Sequence, residues 1–351
     1  MTSRRPAADT ANMSKRLGLF MLASAILLIS LSMAGCTTLP PSGISPGPPA
    51  VTPVPGISPC PPAVTPAPGI APAVMATPVP SSTPAAGVKG NVSGDLEVHF
   101  LDVGQGDAIL VRYGNKSMLV DGGSIEAGPD VTSYLRGQGV DAIDVLVSTH
   151  PHADHIGGLL AVLREFPVKV AYDSGIPHTT QTYYEYLTLI DRKNIRYVVP
   201  QRGDTIDLGP GVTVQVLSPP PGGIGDVDLN ENSIVLKITY GDTGFLLESD
   251  AGFEAEDIMR SVGFDLRSDV LKVGHHGSKY SSGAAFLKAV DPKYSVIDVG
   301  ADNPYGHPAP ETLARLDAVS AKVYRTDRDG NVVMKSDGKG IMVTTQRSAP
   351  A

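Results

Sequence analysis

From about Leu96 onward, apolar residues recur in two rhythms. Short runs, apolar throughout or at alternate positions, read as strands at residues 96–103, 108–113, 117–120, 143–148, 168–172, 212–217, 233–240 and 244–247, and again at 270–273, 294–299, 322–325 and 332–335. Stretches with helical spacing lie between them at 131–137, 155–166, 182–193, 254–262, 284–290 and 310–318. Antiparallel ribbons mixed with strand-helix crossovers predict a layered α/β domain with two sheets inside. The domain is expected over residues 94–346, with a tail at 347–351.

Before Leu96 the rhythm is absent. Residues 1–16 carry Arg4, Arg5, Lys15 and Arg16, and Leu17 to Ala34 then run without a charge. A positive segment followed by an apolar one is the pattern of an export signal, here residues 1–36. Its end, Leu31-Ser32-Met33-Ala34-Gly35-Cys36, resembles the lipobox of bacterial lipoproteins, which implies cleavage before Cys36 and lipidation of its sulfur. An ordinary secretory signal and an uncleaved membrane anchor are the alternatives. All three place the rest of the chain outside the cytoplasm, and the first anchors it to the membrane through lipid.

Residues 37–93 are rich in Pro, Ala, Gly, Val, Ser and Thr, with almost no charge and no aromatic residue. A 13-residue unit at Gly43 to Pro55 returns at Gly56 to Pro68, with Cys60 where the first copy has Gly47. Such a composition cannot bury enough apolar surface to offset its chain entropy, so it is expected to be a disordered, semi-rigid linker. The chain's two cysteines, Cys36 and Cys60, both precede the domain, which therefore folds without disulfides.

Charge narrows the function. Residues 1–94 hold five of the 28 basic residues and one of the 36 acids, leaving 23 against 35 in the remainder, a net charge of −12. This is not a general nucleic-acid footprint. Acids that bind divalent cations do not repel an anionic substrate, however, because the ions invert the local charge.

The candidate chemistry is concentrated in "THPHADHIGG", where three histidines and an aspartate follow the apolar run Val145-Leu146-Val147. Side chains alternate along an extended segment, so His150 and His152 leave the strand end on one side. Asp154 and His155 begin the next helix and can face a second point nearby. Gly157 and Gly158 allow close packing behind the turn. Imidazole and carboxylate together suit zinc, manganese or iron. Two further sets follow apolar strands: Asp250 ends "GFLLESD", and His275-His276 follow "VLKVG". They complete a catalytic site if these distant strand ends meet at one edge of the sheets.

With these residues in view, the chain resembles the metallo-β-lactamase fold superfamily, and more narrowly the hydrolase domain of the ComEC competence proteins and their free-standing relatives. Phosphorylcholine esterases are similar to the same group. The stretches that carry the resemblance are "VHFLDVGQGDAILV", "MLVDGG", "STHPHADHIGGL", "ENSIVLKITYGDTGFLLESD", "LKVGHHGSKYSSG" and "NPYGHP". It implies a four-layered αββα sandwich with a dinuclear site at one edge of the two sheets, holding two divalent ions, zinc or manganese. His150 and His152 would ligate the first ion, Asp154 and His155 the second, and Asp250 would bridge them. His276 would add a ligand to the second ion while His275 faces substrate. Asp121 would hydrogen-bond a ligand and fix its orientation.

Two departures from the pattern stand out. The only histidine between the HxHxDH stretch and Asp250 is His178, in a loop, where it either completes the first ion's shell, touches substrate or is simply exposed. Glu248-Ser249-Asp250 stands where the subgroup usually has Thr-Gly-Asp, so Glu248 adds an acid beside the bridging one and either alters metal preference or points away. His307 either binds substrate, protonates the leaving group or shapes a turn. Ser278 and Lys279 are candidates for phosphate contact, Asp107 for the site or a turn cap, and His99 for a buried sheet position.

Two neighbouring cations would lower the pKa of a bridging water, giving hydroxide near neutral pH, with no serine or cysteine nucleophile required. The expected reaction is hydrolysis of a phosphodiester, with Asp154, His275 and His307 as catalytic candidates and DNA as the favoured substrate. A cell-envelope phosphodiester of phosphocholine or teichoic acid type is the alternative enzyme reading, and a surface-tethered binding protein with a structural metal the alternative of another class. Nothing in the sequence points to a protein partner.

Overall fold

A computed structural model describes residues 94–225 and 228–347. The expected signal segment, Cys36, the Pro-rich linker and all but the first residue of the tail lie outside the described residues.

Fifteen strands among the described residues form two sheets. The first is ordered β15(Ile341–Thr345), β14(Val332–Ser336), β1(Leu96–Phe100), β2(Ile109–Tyr113), β3(Lys116–Val120), β4(Ile143–Ser148), β5(Val168–Asp173), β6(Arg196–Val198). The second runs β13(Lys322–Arg325), β12(Tyr294–Ile297), β11(Val270–Lys272), β10(Thr243–Leu247), β9(Val235–Tyr240), β8(Val212–Ser218), β7(Thr205–Ile206). Each sheet is antiparallel on one side and parallel on the other: β3 to β6 are parallel in the first, β10 to β13 in the second.

Alternation along the strands explains the layering. Leu96, Val98, Phe100, Val111, Met118 and Val147 of the first sheet share one buried cluster with Val214, Leu236, Ile238, Phe245 and Val270 of the second. The intervening residues Leu110, Leu119 and Leu146 are buried too, on the opposite face. Helices α1(Gly128–Gly137), α2(Ala153–Ile156), α3(Leu159–Glu165) and α4(Gln181–Arg192) belong to the connections of the first sheet. Helices α5(Phe253–Ser261), α6(Ala284–Val290) and α7(Pro310–Ala318) cover the second, where Met259, Phe286, Leu287 and Leu316 pack on Leu246, Leu271 and Val273. A one-turn helix, α8(Thr326–Asp329), follows β13. The result is the αββα sandwich, four layers around one inter-sheet core.

Parallel pairing aligns the carboxyl ends of strands. Val147 of β4 registers with Val120 of β3 and Tyr172 of β5, while Lys272 of β11 registers with Leu247 of β10 and Val296 of β12. The loops leaving these strands carry Asp121, His150, Asp250 and His276, so the topology delivers them to one edge, the usual position of sites in sheets of this kind.

Some elements differ from expectation. Strands β6, β7 and β15 are short or half-exposed and carry weak apolar patterns. The helix expected over 155–166 is two helices, broken at Gly157 and Gly158. The break has a steric cause: a Cβ on Gly158 would lie 1.8 Å from the Gly122 carbonyl oxygen, and one on Gly157 2.4 Å from the Ile125 nitrogen. The same approach lets Gly122 N donate to His155 O (2.8 Å) and Gly158 N to Gly123 O (2.9 Å), locking the histidine turn onto the loop after β3.

Replacing Gly158 by Ala therefore forces two backbones apart. We expect a loss of about 3 kcal/mol or more, the upper end of overpacking costs. For a domain of this size that is a fall in Tm of roughly 6–12 °C, readable by calorimetry.

Candidate metal centre

His150 and His152 follow β4 in extended backbone, and His152 is the residue before α2 (φ −74°, ψ 146°). Asp154 and His155 lie within that helix. Asp250 follows β10, and His276 sits in a tight turn, Gly274–Gly277, after β11. Three loops thus bring six side chains together. His150, His152 and Asp250 have ligating atoms mutually within 4.8 Å, as do Asp154, His155 and His276. Asp250 reaches both groups: its Oδ2 lies 3.7 Å from His150 Nε2 and 3.4 Å from His155 Nε2, and its Oδ1 3.6 Å from His276 Nε2.

The far sides of the rings are anchored. Asp121 Oδ2 lies 2.8 Å from His155 Nδ1, and the same carboxylate accepts from Thr149 N (2.9 Å) and Thr149 Oγ1 (2.6 Å). His276 Nδ1 is 2.9 Å from the Asp298 carbonyl oxygen. His150 Nδ1 is 3.1 Å from Thr149 Oγ1, which accepts from Ser249 Oγ at 2.7 Å. These partners favour a proton on Nδ1 of His155 and His276 and leave Nε2 as the inward atom. Inward, His155 Nε2, His276 Nε2 and Asp250 Oδ1 are buried without a hydrogen-bond partner. Other buried side-chain atoms here also lack partners, but these three converge between acids and imidazoles, and that convergence is what fits a cation. The donor set of imidazole and carboxylate suits zinc, manganese or iron.

Backbone conformation at the site is costly. Asp121, Ser249, His275 and His276 all have φ between 47° and 56°, a left-handed region that side chains other than glycine adopt at roughly 1–3 kcal/mol each. All four flank or belong to the cluster, which suggests that placement of the ligating groups outweighs local comfort.

Charge in the cluster is strongly coupled. Burial opposes ionisation of His276, but Asp250 together with hydrogen bonding to Asp107 and Asp154 outweighs it and pushes the ring up to about 10. His155 is likewise raised well above its usual value, burial being overcome by Asp250 and Asp121. His150, by contrast, is held well below its usual value by burial and by His155. Protons on His155 and His276 thus occupy the place where cations would neutralise the carboxylates. Cation binding must displace them, so it should release protons and weaken as pH falls. Calorimetric titration with Zn²⁺ or Mn²⁺ in two buffers of different ionisation enthalpy would measure that release.

Sequence reasoning gave little weight to a second layer behind the ligands. Lys272, in the strand "VLK", is wholly buried, and its Nζ lies 2.7 Å from Asp107 Oδ2 and donates to Val273 O at 3.0 Å. Asp107 Oδ1 in turn lies 3.3 Å from His276 Nδ1. Burial would raise the Asp107 carboxyl, but Lys272 and His276 hold it down at about 2. Of the two roles open to Asp107, the site is therefore the one its contacts favour. The only hint in the sequence is a lysine inside an otherwise apolar strand.

Glu248 is buried away from the histidines and accepts from Gly274 N (2.9 Å) and Ser282 Oγ (2.9 Å), so it ties down the turn carrying His275 and His276. His275 is half-buried with Nε2 3.7 Å from Asp250 Oδ2, and its ring lies 5.7 Å from that of His307. His178 is half-buried, 6.1 Å ring to ring from His152, with Nδ1 3.1 Å from Thr180 Oγ1. Ser278 is buried and its hydroxyl accepts from Tyr280 N (3.3 Å), a loop-forming contact, while Lys279 is exposed with Nζ 4.9 Å from the centre of the Tyr280 ring. His99 is buried in β1 with Nδ1 2.8 Å from Tyr134 Oη, remote from the cluster in its contacts.

An αββα sandwich with a split histidine–aspartate cluster at one sheet edge defines a class of metal-dependent enzymes. A profile of the Metallo-beta-lactamase superfamily matches residues 101–300, and the chain belongs to that superfamily of metal-dependent hydrolases. It is 29% identical over 260 residues to ComE operon protein 3 of Bacillus subtilis, covering 69% of this chain and 33% of that protein. It is 33% identical over 238 residues to competence protein ComA of Neisseria gonorrhoeae, covering 67% and 32%. The chain thus spans about a third of the length of these relatives. Among solved structures, the metallo-beta-lactamase fold protein YhfI of Bacillus subtilis aligns with a TM-score of 0.45 at 15% identity, over 69% of this chain and 100% of that one. No helix among the described residues is long and apolar enough to cross a membrane.

The buried Lys272–Asp107 pair makes a separable prediction. Lys272→Met leaves Asp107 buried and uncompensated and should cost about 3–5 kcal/mol, whereas Lys272→Met with Asp107→Leu should recover much of the loss. Denaturant unfolding of the single and double variants checks this, a coupling near zero being the contrary result.

Proposed function

We propose that the protein is a metal-dependent phosphodiesterase acting on DNA outside the cytoplasm. The observation that carries the metal-dependent part of this reading is the convergence of His155 Nε2, His276 Nε2 and Asp250 Oδ1, all buried and unpartnered, between two ligating groups that share Asp250. His150, His152 and Asp250 would hold one cation; Asp154, His155, His276 and Asp250 would hold a second. Bound there, two divalent ions supply Lewis acidity, a nucleophile near neutral pH and counter-charge for an anionic phosphate.

The protein's own groups do the rest. Asp121 and the Asp298 carbonyl orient the rings of His155 and His276. His275 and His307 line the open side. Burial and the neighbouring His275 hold His307 down at about 4, so near neutral pH it is an uncharged imidazole. That suits a hydrogen bond to a substrate oxygen better than a charge-based contact. DNA is favoured because relatives bear the names competence protein and recombination protein 2, both processes that handle DNA. The extracytoplasmic position rests on the charged and then apolar segment of residues 1–36, with a lipid on Cys36 as its anchor.

End-labelled single- and double-stranded DNA incubated with the protein and Mn²⁺ or Zn²⁺ tests the reading. Cleavage should require the metal and fall at least roughly 100-fold in His152→Ala, the scale of losing an element of a metal site. DNA left intact under every metal, by protein that still binds the ions, would overturn the nuclease reading in favour of an envelope phosphodiester.

A further inference from the structure

A row of rings leads out of the centre. It begins at Asp250, whose Oδ2 is 3.7 Å from His275 Nε2, steps 5.7 Å to His307 and then 5.8 Å to Tyr305. Exposure rises along it, from a buried carboxylate through half-buried imidazoles to a tyrosine 65% exposed. Tyr305 and His307 stack, with 25° between their planes.

The turn that displays Tyr305 is held from inside by one residue. The Asn303 side chain accepts from Tyr305 N (3.2 Å) and His307 N (2.9 Å) and donates to Gly300 O (2.8 Å) and His307 O (2.7 Å). The neighbouring loop is tied to the same region by Ala309 N to Gly277 O (2.8 Å) and Thr312 Oγ1 to Ser278 O (2.7 Å). Arg315 fastens it further by donating to the carbonyls of Lys279, Ser281 and Ser282. That loop displays a second exposed tyrosine, Tyr280, with the Lys279 ammonium over its ring. This bonding fixes the His275–His276 turn from behind and, with it, the backbone on which the two exposed tyrosines stand.

We propose that Tyr305 is a stacking platform for a nucleobase adjoining the scissile phosphate, which makes unpaired nucleic acid the substrate class of the site. The inference rests on the phosphodiesterase reading above. A base offers a π face of matching shape, and stacking of this kind is indifferent to sequence and needs no basic groove. That matters in a domain of net charge −12, which cannot grip a polyanion by its overall field. The rival ligand, a choline group, is held by several rings arranged about a cation, whereas Tyr305 stacks on His307 alone and is otherwise largely exposed. Tyr280, with the Lys279 ammonium over its ring, is a second exposed aromatic on the loop tied to that turn.

The experiment compares wild type, Tyr305→Ala and Tyr305→Phe, each loaded with metal, for binding of a fluorescent, cleavage-resistant phosphorothioate oligothymidine and of an abasic strand of equal length. Tyr305→Ala should bind oligothymidine roughly 5- to 150-fold more weakly, the equivalent of one lost base stack. Tyr305→Phe should match wild type, and all three should bind the abasic strand alike, with unchanged Tm. Equal binding of oligothymidine by wild type and Tyr305→Ala, or an equal loss on the abasic strand, would overturn the platform while leaving the nuclease intact. Wild type that neither binds nor cuts any oligonucleotide, but hydrolyses a phosphocholine diester, would overturn both.

Discussion

Asp250 is a carboxylate with almost no access to water, set on one sheet and surrounded by imidazoles, two of which, His150 and His155, are carried by the other. A buried charge is tolerable only when it is paired and hydrogen-bonded, and the cost of removing one partner is several kcal/mol. The two sheets must therefore meet in a register that brings the end of β10 opposite the end of β4. The inter-sheet core of Phe100, Val111, Met118, Leu236 and Phe245 makes that meeting favourable but is non-directional. The charged cluster gives it a direction, and cations bound there would take over from the protons on His155 and His276 the role of balancing the buried acids.

Behind the ligands the structure is built from groups that leave little freedom. Asp121 holds both His155 and the Thr149 backbone, Thr149 holds His150, and Ser249 holds Thr149, so the loops from both sheets are joined in one hydrogen-bonded chain. Lys272, Asp107 and His276 form a second such chain from the opposite side. Left-handed backbone at Asp121, Ser249, His275 and His276 is the cost of this precision. Gly122 and Gly158 serve the same end by contact, since any side chain there would part the two loops.

The residues that converge at the centre were legible in the sequence in part because their spacing carries geometry. Strand periodicity puts His150 and His152 on one side, and a helix start at Ala153 turns Asp154 and His155 to another. The end of each apolar strand marks where a loop of the centre begins, which also picked out Asp250 and the pair His275-His276; the choice of His276 within that pair came from the family resemblance. The supporting layer was not legible in the same way. Lys272 reads as a lysine on a strand, a position usually solvated, and only its pairing with Asp107, 165 residues earlier in the chain, makes it interior. Likewise the break between α2 and α3 follows from a backbone contact with Gly122, and the display of Tyr305 from an Asn303 side chain whose four partners no periodicity reveals. Relations within one element show in the order of residues; relations between elements need the folded chain.

The acidity of the domain bears on how an anion could be handled at all. Acids paired locally with lysine, such as Asp144 with Lys169 and Asp269 with Lys293, add nothing to the net charge, and the field of the exposed unpaired ones is screened within about 8 Å at physiological ionic strength. The charge an anionic phosphate would meet at close range is set instead by Asp154 and Asp250, and two divalent ions among them reverse its sign. Attraction is then confined to the few ångström around the ligands, and neighbouring parts of a long substrate must be held by forces other than charge. Aromatic faces fixed beside the centre supply such a force, so an acidic surface and a polyanionic substrate are compatible provided the grip is local.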